Sequence, residues 1–416
     1  MKKNRTIEIM SPAGSYESLM AAIQGGADSV YFGVEQLNMR ARSSANFTLD
    51  DLIKISKICQ DNNVRSYITL NTIIYDRDIS LVKSVVDKAK ENNISAIIAS
   101  DHAVFNYTNK VGMEVHVSTQ CNISNIEAVK FYAKFSDVMI LARELSLEQV
   151  AAIIKAIEKE QIKGPSGELV RIEIFAHGAL CMSISGKCYL SLHSHNASAN
   201  RGSCFQDCRR EYIVKDKEEG HELLIDNEYI MSPKDLCTIG FLNKIIKTGV
   251  DILKIEGRGR SPDYVKTVTQ CYREAVDSCF TGTYSAGKIK RWEKTLSTVF
   301  NRGFWDGYYL GKKMGEWTET YGSQAIKRKI YIGRGIKYFD KVKVGEFKVE
   351  TNSLSKGDQV LITGPTTGVI QSDVKEIRID DTAVERVIKG DVFSMPVPEK
   401  VRASDKLYKF VPAVRT

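Results

Sequence analysis

Short, almost continuous apolar runs alternate with amphipathic segments over the first two-thirds of the chain. Such runs are typical of strands buried on both faces, and eight are predicted as strands: Ile7–Met10, Ala27–Phe32, Arg65–Leu70, Ala96–Ala99, Glu114–Val117, Val138–Ala142, Ile172–Ala176 and Ile252–Ile255. The segments between them have a helical period and predict helices such as Leu52–Asn62, Leu81–Asn92, Ile126–Phe135 and Leu147–Lys159. Eight β/α units favour a (β/α)8-type parallel barrel, with an open doubly wound sheet as the alternative.

The seventh unit of this pattern is interrupted. After Phe175–Gly178 a long insertion precedes the predicted helix Phe241–Lys247. An insertion that directly follows a barrel strand lies at the C-terminal face, where barrel active sites form. From residue 328 short alternating runs, broken by Gly and Pro, predict a small all-β barrel. The predicted domains are a barrel over 1–285, a helical and aromatic connector over 286–326 and a C-terminal β-barrel over 327–416.

Composition and charge indicate a globular protein with a mildly basic surface. The formal net charge is +8, and residues 325–416 contribute +6 because they hold 18 Lys and Arg against 12 Asp and Glu. No apolar stretch is long enough for a transmembrane helix, and no apolar signal core follows the basic N-terminus, so we expect a cytoplasmic protein without membrane contact. RNA is a natural partner for such a charge, and a solvated basic surface without a partner is the plainer alternative.

Four of the nine cysteines cluster in the insertion. Cys181, Cys188, Cys204 and Cys208 follow the spacing Cys-x6-Cys-x15-Cys-x3-Cys, and Cys237 lies further along the chain. Disulfides are rare in the cytoplasm, and the paired Cys-x2-Cys knuckles of structural zinc sites are missing. Unevenly spaced thiolates on loops suit an iron–sulfur cluster, which is therefore favoured over zinc and over scattered buried cysteines.

Polar residues collect where the predicted strands end. In a barrel these ends converge on one face, so the residues are expected to form a site. Those predicted to be catalytic are Arg143, Glu144, His177, Glu256 and Arg258. Those predicted to bind substrate are Arg40, Asn71, Asp101, Ser118, Gln120 and Asn122. The arginines Arg40, Arg143 and Arg258 suit bidentate binding of a carboxylate, although a helix cap or an ion pair is the alternative for any single residue.

Peptidase chemistry has little support from motifs. The sequence contains neither a His-Glu-x-x-His zinc pair nor a Gly-x-Ser-x-Gly nucleophile elbow. A Cys–His pair such as Cys181 with His177 is conceivable, but a thiol among three others is more simply a metal ligand.

Several segments of roughly residues 6–310 resemble, in order, the collagenase-like U-32 peptidase family. They are Ser11-Pro-Ala-Gly, Asn38-Met-Arg40, Leu70-Asn-Thr, Ser118-Thr-Gln, Ala142-Arg-Glu-Leu, His177-Gly-Ala-Leu-Cys181, Ser232-Pro-Lys-Asp-Leu-Cys237 and Lys254-Ile-Glu-Gly-Arg258. Phe300-Asn-Arg-Gly-Phe and the terminal β domain look like the branch that contains the tRNA hydroxylation proteins.

The resemblance implies a [4Fe–4S] cluster on Cys181, Cys188, Cys204 and Cys237, with Cys208 as the alternative fourth ligand. It also implies prephenate as the hydroxyl source without dioxygen, tRNA or rRNA as substrate, and a second family member as a possible partner subunit. The leading hypothesis is therefore oxygen-independent hydroxylation of the wobble uridine of tRNA. The alternatives are a peptidase, as the family label states, and a non-catalytic RNA-binding protein with a structural metal site.

Overall fold

A computed structural model describes residues 6–42, 46–212, 231–312, 315–318 and 322–413. The strands of its first part are β1 (Glu8–Pro12), β2 (Ser29–Gly33), β3 (Arg65–Leu70), β4 (Ala96–Ala99), β5 (Glu114–Val117), β6 (Val138–Ile140), β7 (Arg171–Gly178), β8 (Asp235–Cys237), β9 (Ile252–Ile255) and β10 (Phe304–Trp305). Within the described residues, β1 to β7 and β9 pair in parallel, and β9 joins both β7 and β1. The sheet is thus a closed eight-stranded parallel barrel, which confirms the predicted fold class.

Amphipathic helices cover the barrel. They are α1 (Tyr16–Gln24), α2 (Asp51–Asp61), α3 (Ile79–Glu91), α4 (His102–Lys110), α5 (Ile126–Tyr132), α6 (Leu147–Glu160), α8 (Leu242–Thr248) and α9 (Pro262–Phe280), whereas α7 (Leu190–His195) lies in the insertion and α10 (Ala286–Leu296) packs on α9. The Ser146 hydroxyl accepts a hydrogen bond from the Gln149 amide to start α6, and Asn63 and Asn93 have the positive φ of left-handed caps. None of the helices in the described ranges is long and apolar enough to cross a membrane.

The N-terminal end of the barrel is closed by charge pairing. Arg65 pairs with Glu114 at 2.8 Å and with Glu8 at 3.5 Å, and Arg171 pairs with Glu114 at 3.1 Å. The Tyr67 hydroxyl donates to Glu8 at 2.7 Å. These ionic groups therefore satisfy one another at the N-terminal end of the barrel.

The insertion after β7 is confirmed, and residues 213–230 of it lie outside the described residues. It returns to the barrel through β8, which runs antiparallel to β7 with Cys237 opposite His177. β10 then pairs with β8 in parallel, so the connector over 286–326 contributes α10 and this strand. The domain boundaries themselves stay predictions.

The C-terminal part is all-β, as predicted. Its strands are β11 (Lys327–Phe339), β12 (Val344–Val349), β13 (Ser353–Ser355), β14 (Gln359–Gly364), β15 (Gly368–Asp373), β16 (Arg378–Ile379), β17 (Thr382–Ala383), β18 (Arg386–Ile388), β19 (Val392–Pro396) and β20 (Lys406–Pro412). As far as the chain is described, they form an antiparallel sheet in the order β15-β14-β20-β11-β12-β19-β16-β17 and a separate pair, β13 with β18. The sheet packs on α1 and α9, where the Gln24 side chain donates to the Thr367 carbonyl at 2.9 Å.

Candidate functional site

A cavity of about 230 Å³ opens at the C-terminal ends of the barrel strands. Its floor and walls come from Thr69 at the end of β3, from residues just after β3, β5, β6 and β9, and from Phe175 on β7. The insertion supplies the remaining wall with residues 179–186 and with its cysteines. Strand ends and insertion therefore meet in one place, as the sequence predicts.

The lining of the cavity is strongly cationic. Among its described residues there is a single carboxylate, Glu256, against seven basic side chains: Arg40, Arg143, Arg209, Lys254, Arg258, Arg260 and Arg302. A low-dielectric cavity with this excess of one sign concentrates its field on the space inside. The site is thus suited to an anionic ligand.

Arg258 is the most buried of the site arginines, at 5% exposure. Its Nη1 donates to the Asn38 side chain and to the Thr69 hydroxyl, both at 3.0 Å, and burial lowers the pKa of the guanidinium to about 10. Within the described part of the chain no carboxylate forms an ion pair with it. β2 leaves room for this arrangement because it ends in a glycine: a Cβ at Gly33 would lie 2.4 Å from Nη1.

Arg143 is a second site cation that forms no ion pair among the described residues, although its charge helps to lower the pKa of Glu256. Its guanidinium stacks over the Phe175 ring, 4.1 Å from the ring centroid, and its buried Nε has no hydrogen-bond partner there. A buried N–H that is left unpaired costs free energy, so a ligand oxygen that accepts from it would gain that energy on binding. Arg143 and Arg258 together therefore offer two guanidinium groups to a ligand with carboxylates.

Arg40 and Glu256 form an ion pair across the mouth of the cavity, with Nη2 and Oε1 2.7 Å apart. Burial opposes ionisation of Glu256, but the guanidinium groups of Arg40 and Arg260 outweigh it and lower the pKa of the carboxyl. The pKa of Arg40 is raised mainly by Glu256, and the arginine also lies close enough to Cys181 and Cys204 for their thiolates to contribute. The ion pair thus holds the Arg40 guanidinium beside the cysteines.

An amide and hydroxyl network lines the opposite wall. The Asn71 side chain donates to the Ser118 hydroxyl and to the Gln120 side chain, each at 3.3 Å, and Ser118 also donates to Gln120. Asn71 in turn accepts from the Met39 amide at 3.3 Å, which holds the segment that carries Arg40. These groups can orient a polar ligand without adding charge.

Four cysteines line the same cavity: Cys181, Cys188, Cys204 and Cys208. Burial, opposed by the charge of Arg209 and assisted by the other three thiolates, raises the pKa of Cys208 to about 11, so the four sulfurs lie close enough to interact electrostatically. Gly202, with φ +87°, lets the insertion approach the barrel, because a Cβ there would lie 2.4 Å from the Asn38 carbonyl oxygen. Close packing of the insertion on residues 38–42 thus sets the position of the cysteines.

The donor set suits a soft metal or an iron–sulfur cluster, since thiolates are the ligands these groups prefer. No three His, Cys, Asp or Glu side chains in the described ranges are arranged closely enough to hold a metal ion. The four thiols line one cavity, three of them on loops and Cys208 in the short 3-10 turn Asp207–Arg209, so binding would require them to move closer together. On donor chemistry the residues fit a cluster, and cluster binding stays a proposal.

Comparison with known proteins identifies the family. The model of peptidase family U32 matches residues 14–319. The chain belongs to this family. The match covers the barrel from α1 onward, the insertion and most of the connector, and every residue that lines the cavity lies inside it.

Similar relatives of the family carry two kinds of name. A collagenase of Porphyromonas gingivalis is 61% identical over 97% of this chain and 97% of its own length. The tRNA hydroxylation protein P1 of Bacillus subtilis is 30% identical over 86% of this chain and 83% of its own. The 23S rRNA 5-hydroxycytidine C2501 synthase of Escherichia coli is 32% identical over 74% of this chain and 46% of its own.

Five predicted site residues of the U32 chain lie outside the cavity lining, and two of them, Asp101 and Asn122, have structural roles. Asp101 caps α4 by accepting from the Ala103 amide at 2.9 Å. Asn122 has φ 50° and donates to the Ser185 carbonyl at 3.0 Å, which fastens the insertion to the loop after β5. Glu144 is exposed to solvent and is not among the lining residues.

His177 and Cys237 face a different region, behind the cavity wall. His177 is buried among Tyr264, Tyr272 and Phe304, and burial lowers its pKa to about 3. Its Nδ1 lies 3.4 Å from the Tyr272 hydroxyl. Burial also raises the pKa of the Cys237 thiol, to about 12, and this thiol forms a hydrogen bond with the Tyr272 side chain. The structure therefore brings Cys208 to the cavity and leaves Cys237 outside its lining.

Sequence reasoning missed four basic residues of the site: Arg209, Lys254, Arg260 and Arg302. Arg260 could have been found, because it follows Arg258 by two residues in the run Glu256-Gly-Arg-Gly-Arg. Lys254 points inward from β9 and pairs with Glu173 at 2.9 Å. Arg302 comes from beyond the barrel helices and pairs with Asp235 at 3.5 Å, a contact that no local pattern predicts.

Proposed function

We propose that this U32 protein is an iron–sulfur-dependent enzyme that hydroxylates RNA, with prephenate as the hydroxyl source and tRNA wobble uridine as the leading target. One observation carries the proposal: a single cavity joins four cysteines to a cationic wall with two guanidinium groups that form no ion pair among the described residues. The names of the B. subtilis and E. coli relatives supply the RNA and the reaction.

The proposed cluster ligands are the four cysteines of the cavity, Cys181, Cys188, Cys204 and Cys208. A bound [4Fe–4S] cluster would supply one-electron redox chemistry at this wall. Arg40 stabilises the thiolates of Cys181 and Cys204 by its charge, and its ion pair with Glu256 keeps it in place. Cys237, which the family resemblance predicts as the fourth ligand, is the competing assignment.

Prephenate suits the cationic wall because it carries two carboxylates. Arg258 is fixed by its hydrogen bonds to Asn38 and Thr69, so it is already oriented for a ligand. Arg143 is fixed by stacking on Phe175 and presents its buried Nε. A bidentate guanidinium–carboxylate pair is stronger and more directional than a lysine contact, and two of them would hold the dicarboxylate in one orientation.

The test is a nucleoside analysis of tRNA by mass spectrometry. A strain that lacks this gene and any paralogue is complemented with the wild-type chain, with Arg143→Ala/Arg258→Ala or with Glu144→Ala as a control outside the cavity lining. We expect 5-hydroxyuridine-derived nucleosides with the wild type and the control, and a loss of at least tenfold with the double variant. Unchanged tRNA and rRNA nucleosides in the uncomplemented strain would refute the proposal, and RNA binding without modification would favour a non-catalytic protein.

Peptide hydrolysis is the second candidate, because the 61% identical relative is named a collagenase. In the described ranges no hydrogen bond joins a cavity cysteine to a histidine, and His177, the conceivable partner of Cys181, is not among the lining residues. A peptidase would cleave gelatin after removal of iron and would lose activity on substitution of one nucleophile. Gelatin cleavage by the iron-free protein at the rate of the intact protein would favour this candidate.

A further inference from the structure

Exposed apolar side chains lie on the insertion and on the loop after β3, in or next to the residues that line the cavity. We call this group the rim patch, and it consists of Ile73, Tyr75, Met182, Ile184, Tyr189 and Leu192. Tyr189 is 69% exposed, Ile184 57% and Tyr75 46%. Large apolar side chains that cluster in water around a cleft mark an interaction surface more often than isolated exposed ones do. Met182 and Ile184 also line the cavity, so the patch and the cavity form one continuous surface.

Contacts between the loop after β3 and the insertion hold the rim patch in place. Arg201 donates to the Ile73 carbonyl at 2.8 Å and pairs with Asp78 at 2.7 Å. Its guanidinium lies 4.0 Å from the centroid of the Tyr75 ring. Arg201 therefore supports Tyr75 in a defined orientation while nearly half of that side chain remains open to solvent.

The surroundings of the rim patch carry a small excess of positive charge. From Cys181 to Arg210 the insertion holds four basic residues, Lys187, Arg201, Arg209 and Arg210, against one acid, Asp207. The segment 73–78 adds Arg77 against Asp76 and Asp78, so the two segments together hold five basic residues and three acids. Asp207 is already paired with Arg210 at 3.4 Å and contacts His195 at 3.0 Å. Lys187 and Arg77 are exposed. Aromatic rings among cations match a strand that offers both bases and phosphates, whereas a neutral apolar peptide would leave the charges unused.

We propose that the rim patch binds unpaired nucleotides of the RNA, with Tyr75 and Tyr189 stacking on the bases that flank the target. The inference rests on the proposed function and specifies its substrate class: a single-stranded loop rather than a duplex. An enzyme that acts on a base must take it out of the stack, and the neighbouring bases then need new partners. Aromatic side chains supply such partners in single-strand recognition.

The experiment measures fluorescence anisotropy with two labelled probes, a short RNA stem–loop with an unpaired loop and a fully paired RNA duplex of the same length. Tyr75→Ala and Tyr189→Ala are each expected to weaken stem–loop binding about tenfold and to change duplex binding less than twofold. Tyr189→Phe keeps the ring and should bind like the wild type. Phe280→Ala removes an aromatic ring that is 38% exposed at the end of α9 and is the matched control.

Salt dependence separates stacking from phosphate contacts. The ratio of wild-type to Tyr189→Ala affinity should stay constant as salt rises, because stacking releases no counterions, whereas Lys187→Ala should lower the salt slope. Equal binding of loop and duplex, or wild-type affinity of both alanine variants, would overturn the inference. If the tRNA nucleosides still depend on Arg143 and Arg258, the proposed function survives that failure. If the protein binds gelatin and neither RNA probe, and the tyrosine variants lose the binding of gelatin, both the inference and the proposed function are overturned.

Discussion

Substituting Gly33 with alanine should impair the site at Arg258. The added Cβ would lie 2.4 Å from the Arg258 Nη1 and 2.7 Å from the Asn38 side chain, about 1 Å inside ordinary contact. β2 is hydrogen-bonded to strands on both sides, so the backbone cannot yield easily and the guanidinium has to move. Both 3.0 Å hydrogen bonds of Nη1 are then broken or lengthened.

The contacts of Arg258 determine how much stability and how much prephenate affinity the Gly33→Ala variant should lose. Hydrogen bonds from a charged donor contribute about 1.5–3 kcal/mol each, but a guanidinium displaced into the cavity regains water, so we expect a stability loss of about 1–3 kcal/mol. Removing one partner of a buried charge pair costs about 2–5 kcal/mol in binding. Arg258 is displaced and not removed, so the loss of binding free energy should lie at the lower end of this range. We therefore expect prephenate binding to weaken roughly ten- to hundredfold.

The assay is calorimetric titration with prephenate beside urea denaturation of the same samples. Gly287→Ala is the matched control, since a Cβ there meets nothing within 4 Å and the residue lies in α10. It should leave binding unchanged and leave stability equal or raised by about 0.5–1 kcal/mol. Wild-type prephenate affinity in Gly33→Ala would refute the role assigned to Arg258.

Three further predictions concern the barrel interior and the insertion. Lys254→Met leaves the fully buried Glu173 carboxylate without its cation and should cost about 3–5 kcal/mol in urea denaturation, whereas Glu173→Leu/Lys254→Met should cost much less than the sum of the two single changes. His177 has its pKa lowered from 6.5 to about 3 by burial, so the folded state binds fewer protons than the unfolded state between these values. Stability should therefore fall as pH drops from 6.5 towards 3, and His177→Asn should show a shallower fall; equal slopes in the two denaturation series would contradict this. Gly202→Val should separate the insertion from residues 38–42 and lower the iron content of the purified protein at least severalfold, while Gly167→Val, where a Cβ meets nothing within 4 Å, should keep it.

The barrel was predictable from sequence because its strands are buried on both faces and thus read as continuous apolar runs. Four of the predicted runs coincide with strands residue for residue: Arg65–Leu70, Ala96–Ala99, Glu114–Val117 and Ile252–Ile255. Convergence of strand ends then followed from the fold, and it correctly brought Asn71, Arg143 and Arg258 to one cavity. Residues at the C-terminal ends of barrel strands can therefore be placed at the cavity from the sequence alone.

Prediction from strand ends fails where a side chain binds a nearby backbone group instead, or where its partner lies far away in the sequence. Asp101 and Asn122 stand at strand ends, but one caps a helix and the other anchors the insertion. The direction of Cys237 depends on β8, a three-residue strand that runs against β7 and is too short to carry a periodic signal. Its thiol consequently meets Tyr272 of α9, a contact set by packing between segments far apart in sequence.

Iron and acid-labile sulfide counted per chain in anaerobically purified protein test the central claim most directly. Wild type and Cys237→Ser should each hold about four of both, as a [4Fe–4S] cluster requires, and Cys208→Ser should hold little of either. A wild-type protein that is metal-free or contains zinc alone would contradict the account. A cluster that survives in Cys208→Ser and disappears in Cys237→Ser would contradict its choice of the fourth ligand.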